Sequence, residues 1–256
     1  MKETIQHIRQ TIQENRATEE DWKRWFEDPR KGVVQLCKKE ERRRERERAI
    51  KEAWREKVTF EASFKTDDTS YVIGIDEAGR GPLAGPVVTA AVKLPFHYEA
   101  FVGMDDSKSL TKEARRTFAE HIRSSGVEYA VHVQPRSVID EVNIYEATRQ
   151  SMERALDEMD IDRSIILTDA MPLHRYEATP ITKGDAKSLA IAAASILAKT
   201  VRDAYMDELD ERYPEYGFAH HAGYGTKEHL RAIDQFGVID EHRTTFEPIR
   251  SLLKGD

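Results

Sequence analysis

The sequence predicts an α/β protein: a mixed sheet flanked by helices, with an α-helical N-terminal extension and C-terminal helices. Three observations lead there. Short apolar runs rich in β-branched residues, YVIGID (71–76), VVTAAVKL (87–94) and SIILTD (164–169), read as buried strands. Strands pair early and then alternate with segments of helical spacing, as in a sheet with helices packed on its faces. Residues 1–68 instead read as a charged helical extension, which leaves 69–256 as the main body with its C-terminal helical segment.

Within the extension, ATEEDWKRWFEDPR (17–30) predicts a short helix with Trp22, Trp25 and Phe26 on or near one face, suited to docking the extension onto the body. The stretch KKEERRRERERAIKEAWREK (38–57) has no Gly or Pro and is built of good helix formers. Its interleaved charges read as a solvated helix; the sharper alternatives are a phosphate-tracking arm or a partner-binding helix. Residues 1–60 hold 17 Lys/Arg against 13 Asp/Glu, whereas the remainder holds 23 against 34.

After the polar hinge KTDDTS (65–70) comes the first strand, then the turn-forming EAGRGPLAGP (77–86) and the second strand. TKEARRTFAEHIRSS (111–125) predicts a helix capped by Thr111 and stopped at Gly126. VEYAVHVQ (127–134) alternates as a half-buried strand does. A helix from about Ile144 to Met159 precedes the strand SIILTD, and an Ala-rich helix runs from Lys187 to about Arg212, closed by Pro214. TKEHLRAIDQFG (226–237) and FEPIRSLL (246–253) predict two shorter helices.

Composition excludes several function classes. The longest apolar stretch is the ten residues Leu189–Ala198, where a membrane span needs about 20. The N-terminus MKETIQHIRQ lacks the apolar core of a signal peptide. Cys37 is the only cysteine, so an intramolecular disulfide or a multi-cysteine zinc site is out of the question, and a cytoplasmic location is expected. A net charge of −7 argues against indiscriminate nucleic-acid binding through bulk charge. Nothing in the body demands a dimer, and a monomer is expected.

The chemistry concentrates where strands end. The first strand delivers Asp76 and Glu77 together, which places charge at a buried position unless partners are supplied. Consecutive strand residues point to opposite faces, so both acids serve one site only if the following glycines let the strand stop there. The strand SIILTD ends in Asp169, and Asp185 stands just before the Ala-rich helix, near an N-cap position. Clustered carboxylates repel one another, and hard divalent cations relieve that repulsion through oxygen ligands. A pair of such ions suits in-line attack on a phosphodiester. Gly79 and Gly81 would let the backbone approach a nucleic-acid strand, and Arg80 adds a cation suited to phosphate.

IDEAGRGPLAGPVV (75–88) closely resembles the signature of type 2 ribonucleases H, whose fold is RNase H-like. DSKSLT (106–111), the acid of ILTDA, KGD (183–185), SLAIAAASILAKTVRD (188–203), YGFAHHAGYGTKEH (216–229) and EHRTTF (241–246) also look like family segments, in family order. The resemblance covers about residues 71–250. It implies that Asp76, Glu77, Asp169 and Asp185 are the catalytic acids and hold two divalent ions, Mg²⁺ or Mn²⁺, with Asp76 between them. It also implies that Gly79, Arg80 and Gly81 contact the ribonucleotide at its junction with DNA, and that Tyr224 stacks on the adjacent sugar and senses the 2′-OH. Lys108, and then Lys187 and Lys199, would touch phosphate. Ala170 stands where the family usually has Gly. Asp203 is a rival fourth ligand, but inside a helix and after Arg202 it reads as an ion-pair member; His220 and His221 are poor ligands for hard cations.

The implied activity is metal-dependent hydrolysis of RNA paired with DNA. It includes incision 5′ of single ribonucleotides in duplex DNA, leaving 3′-OH and 5′-phosphate ends, as ribonucleotide excision repair requires. The type 3 relative differs by a lysine between the signature glycines and a different fourth acid. Two rivals from other classes are a hybrid-binding module that has lost catalysis, and a scaffold whose extension meets a replication or repair protein.

Overall fold

The computed structural model describes residues 3–96, 99–104, 107 and 110–254; Lys108 lies outside the described residues. The chain divides into two compact units, Met1–Ala53 and Trp54–Asp256.

The first unit comprises α1 (Ile5–Gln13), α2 (Glu19–Phe26) and most of α3 (Lys31–Ala62), which continues into the second unit. Thr18 and Asp21 form a reciprocal capping box that starts α2. The tryptophans, expected to dock the extension, are used in this unit's own core. Trp25 is buried with Ile8, Ile12, Val33 and Cys37, and Trp22 meets it edge to face at 5.4 Å.

In the second unit, β1 (Tyr71–Ala78), β2 (Val87–Pro95), β3 (Glu128–Gln134), β4 (Ser164–Asp169) and β5 (Thr179–Ile181) form one mixed sheet in the order β3-β2-β1-β4-β5. The β1–β2 and β2–β3 pairs are antiparallel; β1–β4 and β4–β5 are parallel. The helices of this body are α4 (Lys112–Ser124), α5 (Arg136–Val142), α6 (Ile144–Asp157), α7 (Gly184–Lys187), α8 (Leu189–Arg212), α9 (Phe218–His221), α10 (Lys227–Phe236) and α11 (Ile249–Lys254).

Both faces of the sheet are covered, which is why β1 and β2 are continuously apolar rather than alternating. Val72, Val88, Ala90 and Leu94 pack on one face against α8, α4 and the end of α3. Ile73, Ile75, Ala91 and Ala130 pack on the other against Met152, Ala155 and Leu156 of α6. The alanines of α8 let it lie close to the sheet: a Cβ on Gly74 would stand 2.1 Å from the Ala190 carbonyl carbon.

The sequence-based elements are present; the structure adds the short helices α7 and α9 and three refinements. A separate helix, α5, precedes α6 and is split from it by Asn143 at φ 74°. The Ala-rich helix begins only at Leu189, because Ser188 is extended and caps Ile191. The three-residue β5 contains Pro180, which is tolerated because this is an edge strand.

Candidate active site

The parallel pairing of β1 with β4 runs from Tyr71↔Ser164 to Ile75↔Thr168. The next residue on each strand is an acid, Asp76 on β1 and Asp169 on β4, so adjacent C-terminal strand ends supply two carboxylates side by side. The third comes from α7. The Asp169 carboxylate accepts the Gly184 N–H at 2.7 Å, and Asp185 follows in the next position. Lys183 turns the chain into α7 through left-handed φ 56°. Asp76, Asp169 and Asp185 each present an oxygen such that these atoms all lie within 4.8 Å of one another. Asp76 and Asp185 are buried and Asp169 is half-buried.

Burial, reinforced by the neighbouring Glu77 charge, raises the Asp76 pKa well above the ordinary range; Asp169 adds to the rise, while hydrogen bonds from Ser195 and the Glu77 N–H oppose it. An all-oxygen donor set of converging carboxylates fits a hard divalent cation, which would supply the missing positive charge. β1 does not stop at Glu77 but pairs with β2 through Ala78↔Val88. Glu77 lies outside the trio of converging oxygens, and its carboxylate accepts from Arg80 at 3.4 Å.

Beside the acids, Gly79, Arg80 and Gly81 form a loop that the sequence marked but whose supports it did not. Gly79 has φ 95°, and a Cβ there would fall 1.9 Å from Arg202 Nε. Buried Arg202 donates to the Pro86, Ala84 and Ala222 carbonyls at 3.1, 3.2 and 3.0 Å. Buried Arg243 donates to the carbonyls of Gly79, Arg80, Gly85 and Pro86. Burial pulls their guanidinium pKa values down, to about 10 for Arg202 and, with repulsion from Arg202, to about 9 for Arg243. The backbone between β1 and β2 is thus tied from beneath by two cations. EHRTTF flagged the Arg243 region without suggesting this role, since a buried arginine satisfied by carbonyls has no local sequence pattern.

Tyr224 is half-exposed, and its ring lies over the loop: a Cβ on Gly81 would stand 3.4 Å from Tyr224 Cε1. Asp203 pairs with Lys199 and with Arg115 at 3.4 Å, so this rival acid and Lys199 are engaged with each other. Lys187 is exposed on α7. His220 is exposed beside Glu228, and buried His221 hydrogen-bonds to the Tyr216 carbonyl.

Sequence reasoning also missed Lys57 and Glu61, near the end of α3. Glu61 accepts from Ser188 Oγ at 2.6 Å and from the Ala190 N–H at 2.8 Å. Lys57 donates to the Asp185 carbonyl at 3.1 Å. Both are buried, and they brace the segment that carries the third acid.

Comparison with known proteins identifies the family. Residues 73–248 match the family model described as Ribonuclease HII, and residues 4–65 match the Ribonuclease HII N-terminal domain. Ribonuclease HII of Bacillus cytotoxicus is 44% identical over 256 residues, covering 99% of this chain and 98% of that protein. Ribonuclease HII of Halalkalibacterium halodurans is 47% identical over 225 residues, covering 87% and 85%. Among solved structures, ribonuclease H2 from Pyrococcus horikoshii superposes with a TM-score of 0.59 at 28% identity, over 72% of this chain and 98% of that one. With its mixed sheet, its acids at paired strand ends and matches along nearly its whole length, this chain belongs to the ribonuclease HII family, ribonuclease H type 2 hydrolases that cut the RNA strand of RNA–DNA hybrids.

Proposed function

We propose that this enzyme also incises duplex DNA on the 5′ side of a single embedded ribonucleotide, leaving 3′-OH and 5′-phosphate ends, and so serves ribonucleotide excision repair. The observation that carries this reading is the placement of the Tyr224 ring over Gly81, beside the loop that leads from Asp76 and Glu77. A loop of glycines and an exposed ring facing each other suit a single ribose, whose 2′-OH distinguishes it from its DNA neighbours.

Asp76, Asp169 and Asp185 would hold two divalent cations, Mg²⁺ or Mn²⁺; Glu77, whose carboxylate stands outside that trio but whose charge already acts on Asp76, would complete the donor set by turning from Arg80 toward the ions. Such ions supply Lewis-acid stabilisation and an activated water. The chain's own part is to fix the carboxylates, to place the scissile phosphate by backbone groups of residues 79–81 together with Arg80, and to set the sugar against Tyr224. Lys108 and Lys187 would contact phosphate further along. The N-terminal extension, whose last turns from Trp54 belong to the body, would meet a replication or repair partner, and the enzyme would act as a monomer in the cytoplasm.

The test is a labelled DNA duplex with one ribonucleotide, incubated with Mg²⁺ and again with EDTA. One metal-dependent nick 5′ of the ribonucleotide is expected. Cutting of a long RNA–DNA hybrid without that nick would leave a type 3-like specificity and refute junction reading. Asp76→Asn should lower cleavage about a thousandfold or more while duplex binding persists; normal turnover would remove Asp76 from the catalytic set.

A further inference from the structure

Three imidazoles, His221, His229 and His242, are stacked in the interior beneath Tyr224. Ring centroids of His221 and His229 are 4.6 Å apart, and those of His229 and His242 are 5.2 Å apart. All three are buried. A stack serving only as core would be met as well by phenylalanine, as in the neighbouring Phe218. Here, instead, all six ring nitrogens have partners, and those partners fix the tautomers.

The Ile239 N–H donates to His242 Nδ1 at 2.9 Å, so His242 carries its proton on Nε2. His242 Nε2 stands 3.1 Å from His229 Nε2 and donates to it. His229 therefore carries its proton on Nδ1, which donates to the Tyr224 carbonyl at 3.0 Å, a group able only to accept. His221 accepts the Gly223 N–H on Nδ1 at 3.2 Å and donates through Nε2 to the Tyr216 carbonyl at 2.9 Å. The His229 and His242 rings must be neutral for this pattern. Burial provides that, holding both His229 and His242 down to about 4.

The loop that this chain of hydrogen bonds reaches needs holding. Ala222 at φ 49° and Gly223 at φ 79° are both left-handed immediately before Tyr224, a conformation unfavourable for the alanine.

We propose that His242 and His229 are positioning residues for junction recognition: a neutral imidazole relay grips the Tyr224 carbonyl and so aims its exposed ring over Gly81. The inference rests on Tyr224 being the sugar-facing residue. Both histidines are fully buried and neither is among the converging acids; both act through the Tyr224 backbone.

The test compares kcat/KM on a duplex with one ribonucleotide to kcat/KM on a long RNA–DNA hybrid. His229→Leu keeps bulk and removes the Nδ1–H donor; the ratio should fall about tenfold. His229→Asn returns an amide N–H where Nδ1 stood and should restore the ratio to within about threefold of the parent. In a Tyr224→Ala background, His229→Leu should move the ratio by less than about twofold, because the ring it aims is gone.

If Tyr224→Ala lowers the ratio but His229→Leu does not, or if His229→Leu lowers it equally in both backgrounds, the relay is refuted and the junction reading stands. If Tyr224→Ala leaves the ratio intact, the role of Tyr224 falls and the relay falls with it. Nitrogen-15 NMR of the unaltered protein at neutral pH tests the relay without any variant. His229 must show the Nδ1–H tautomer and His242 the Nε2–H tautomer; the reverse assignment, or a charged ring, overturns it.

Discussion

Asp76 shows how a single residue is set against its own fold's stability. Its carboxyl is buried beside Glu77 and Asp169, and its pKa is raised. Such a group binds its proton more tightly folded than unfolded, so stability falls as pH rises from the unfolded value through the raised folded one. Asp76→Asn should therefore raise the melting temperature of the metal-free protein at neutral pH by several degrees. The gain should vanish below about pH 4, where Asp76 is protonated in both states. Melting curves in EDTA across pH check this; an unchanged or lowered melting temperature at neutral pH would contradict the raised pKa. Ala170 is a second residue under local strain. It follows Asp169 at φ 54°, the left-handed region in which a Cβ is disfavoured and which glycine enters freely. Ala170→Gly should stabilise the fold by about 1 kcal/mol in urea titrations, activity being retained.

At the scale of elements, α8 is held at its start by a carboxylate from α3. Ser188 caps Ile191 within the helix, and Glu61 accepts from the Ser188 hydroxyl and the Ala190 N–H. Burial raises the Glu61 pKa above the carboxylate norm while those hydrogen bonds oppose the rise. What α8 needs here is an acceptor rather than a charge. Glu61→Gln, which keeps an acceptor, should change stability by less than about 1 kcal/mol, whereas Glu61→Leu should cost about 2–4 kcal/mol by stranding a helix-start N–H and a buried hydroxyl. Chemical denaturation distinguishes these; equal losses for both would show that the charge itself matters. Because Lys57 on the same helix braces the Asp185 carbonyl, strain at this joint should also weaken metal-dependent stabilisation.

For the whole molecule, the chain divides between Ala53 and Trp54 into its two compact units, while helical character continues to Ala62. The last turns of α3 supply Val58, Phe60 and Glu61 to the body. A chain beginning at Trp54 should keep this packing, and one beginning at residue 69 should melt about 10 °C lower or fail to fold. Thermal unfolding of the two truncations decides it, since equal melting temperatures would mean that these turns contribute nothing. Among the described residues, no helix is long and apolar enough to cross a membrane.

Much of the fold was legible because strands and helices announce themselves locally. Apolar β-branched runs mark strands buried on both faces, Thr111 caps the helix it precedes, and acids at the ends of two strands stand out against their apolar context. The sheet's main strands, the acids proposed for catalysis and the resemblance could be read in advance, since each depends on residues within a few positions of one another. Long-range packing is what brings Asp185 to Asp76 and Asp169, and Glu61 to a helix start 129 residues away. The same packing brings Arg243 under a loop more than 150 residues upstream and stacks three histidines in one interior cluster. Those pairings join groups far apart in the chain through hydrogen bonds whose partners are mostly backbone atoms, and backbone atoms carry no residue-specific signal to read in advance.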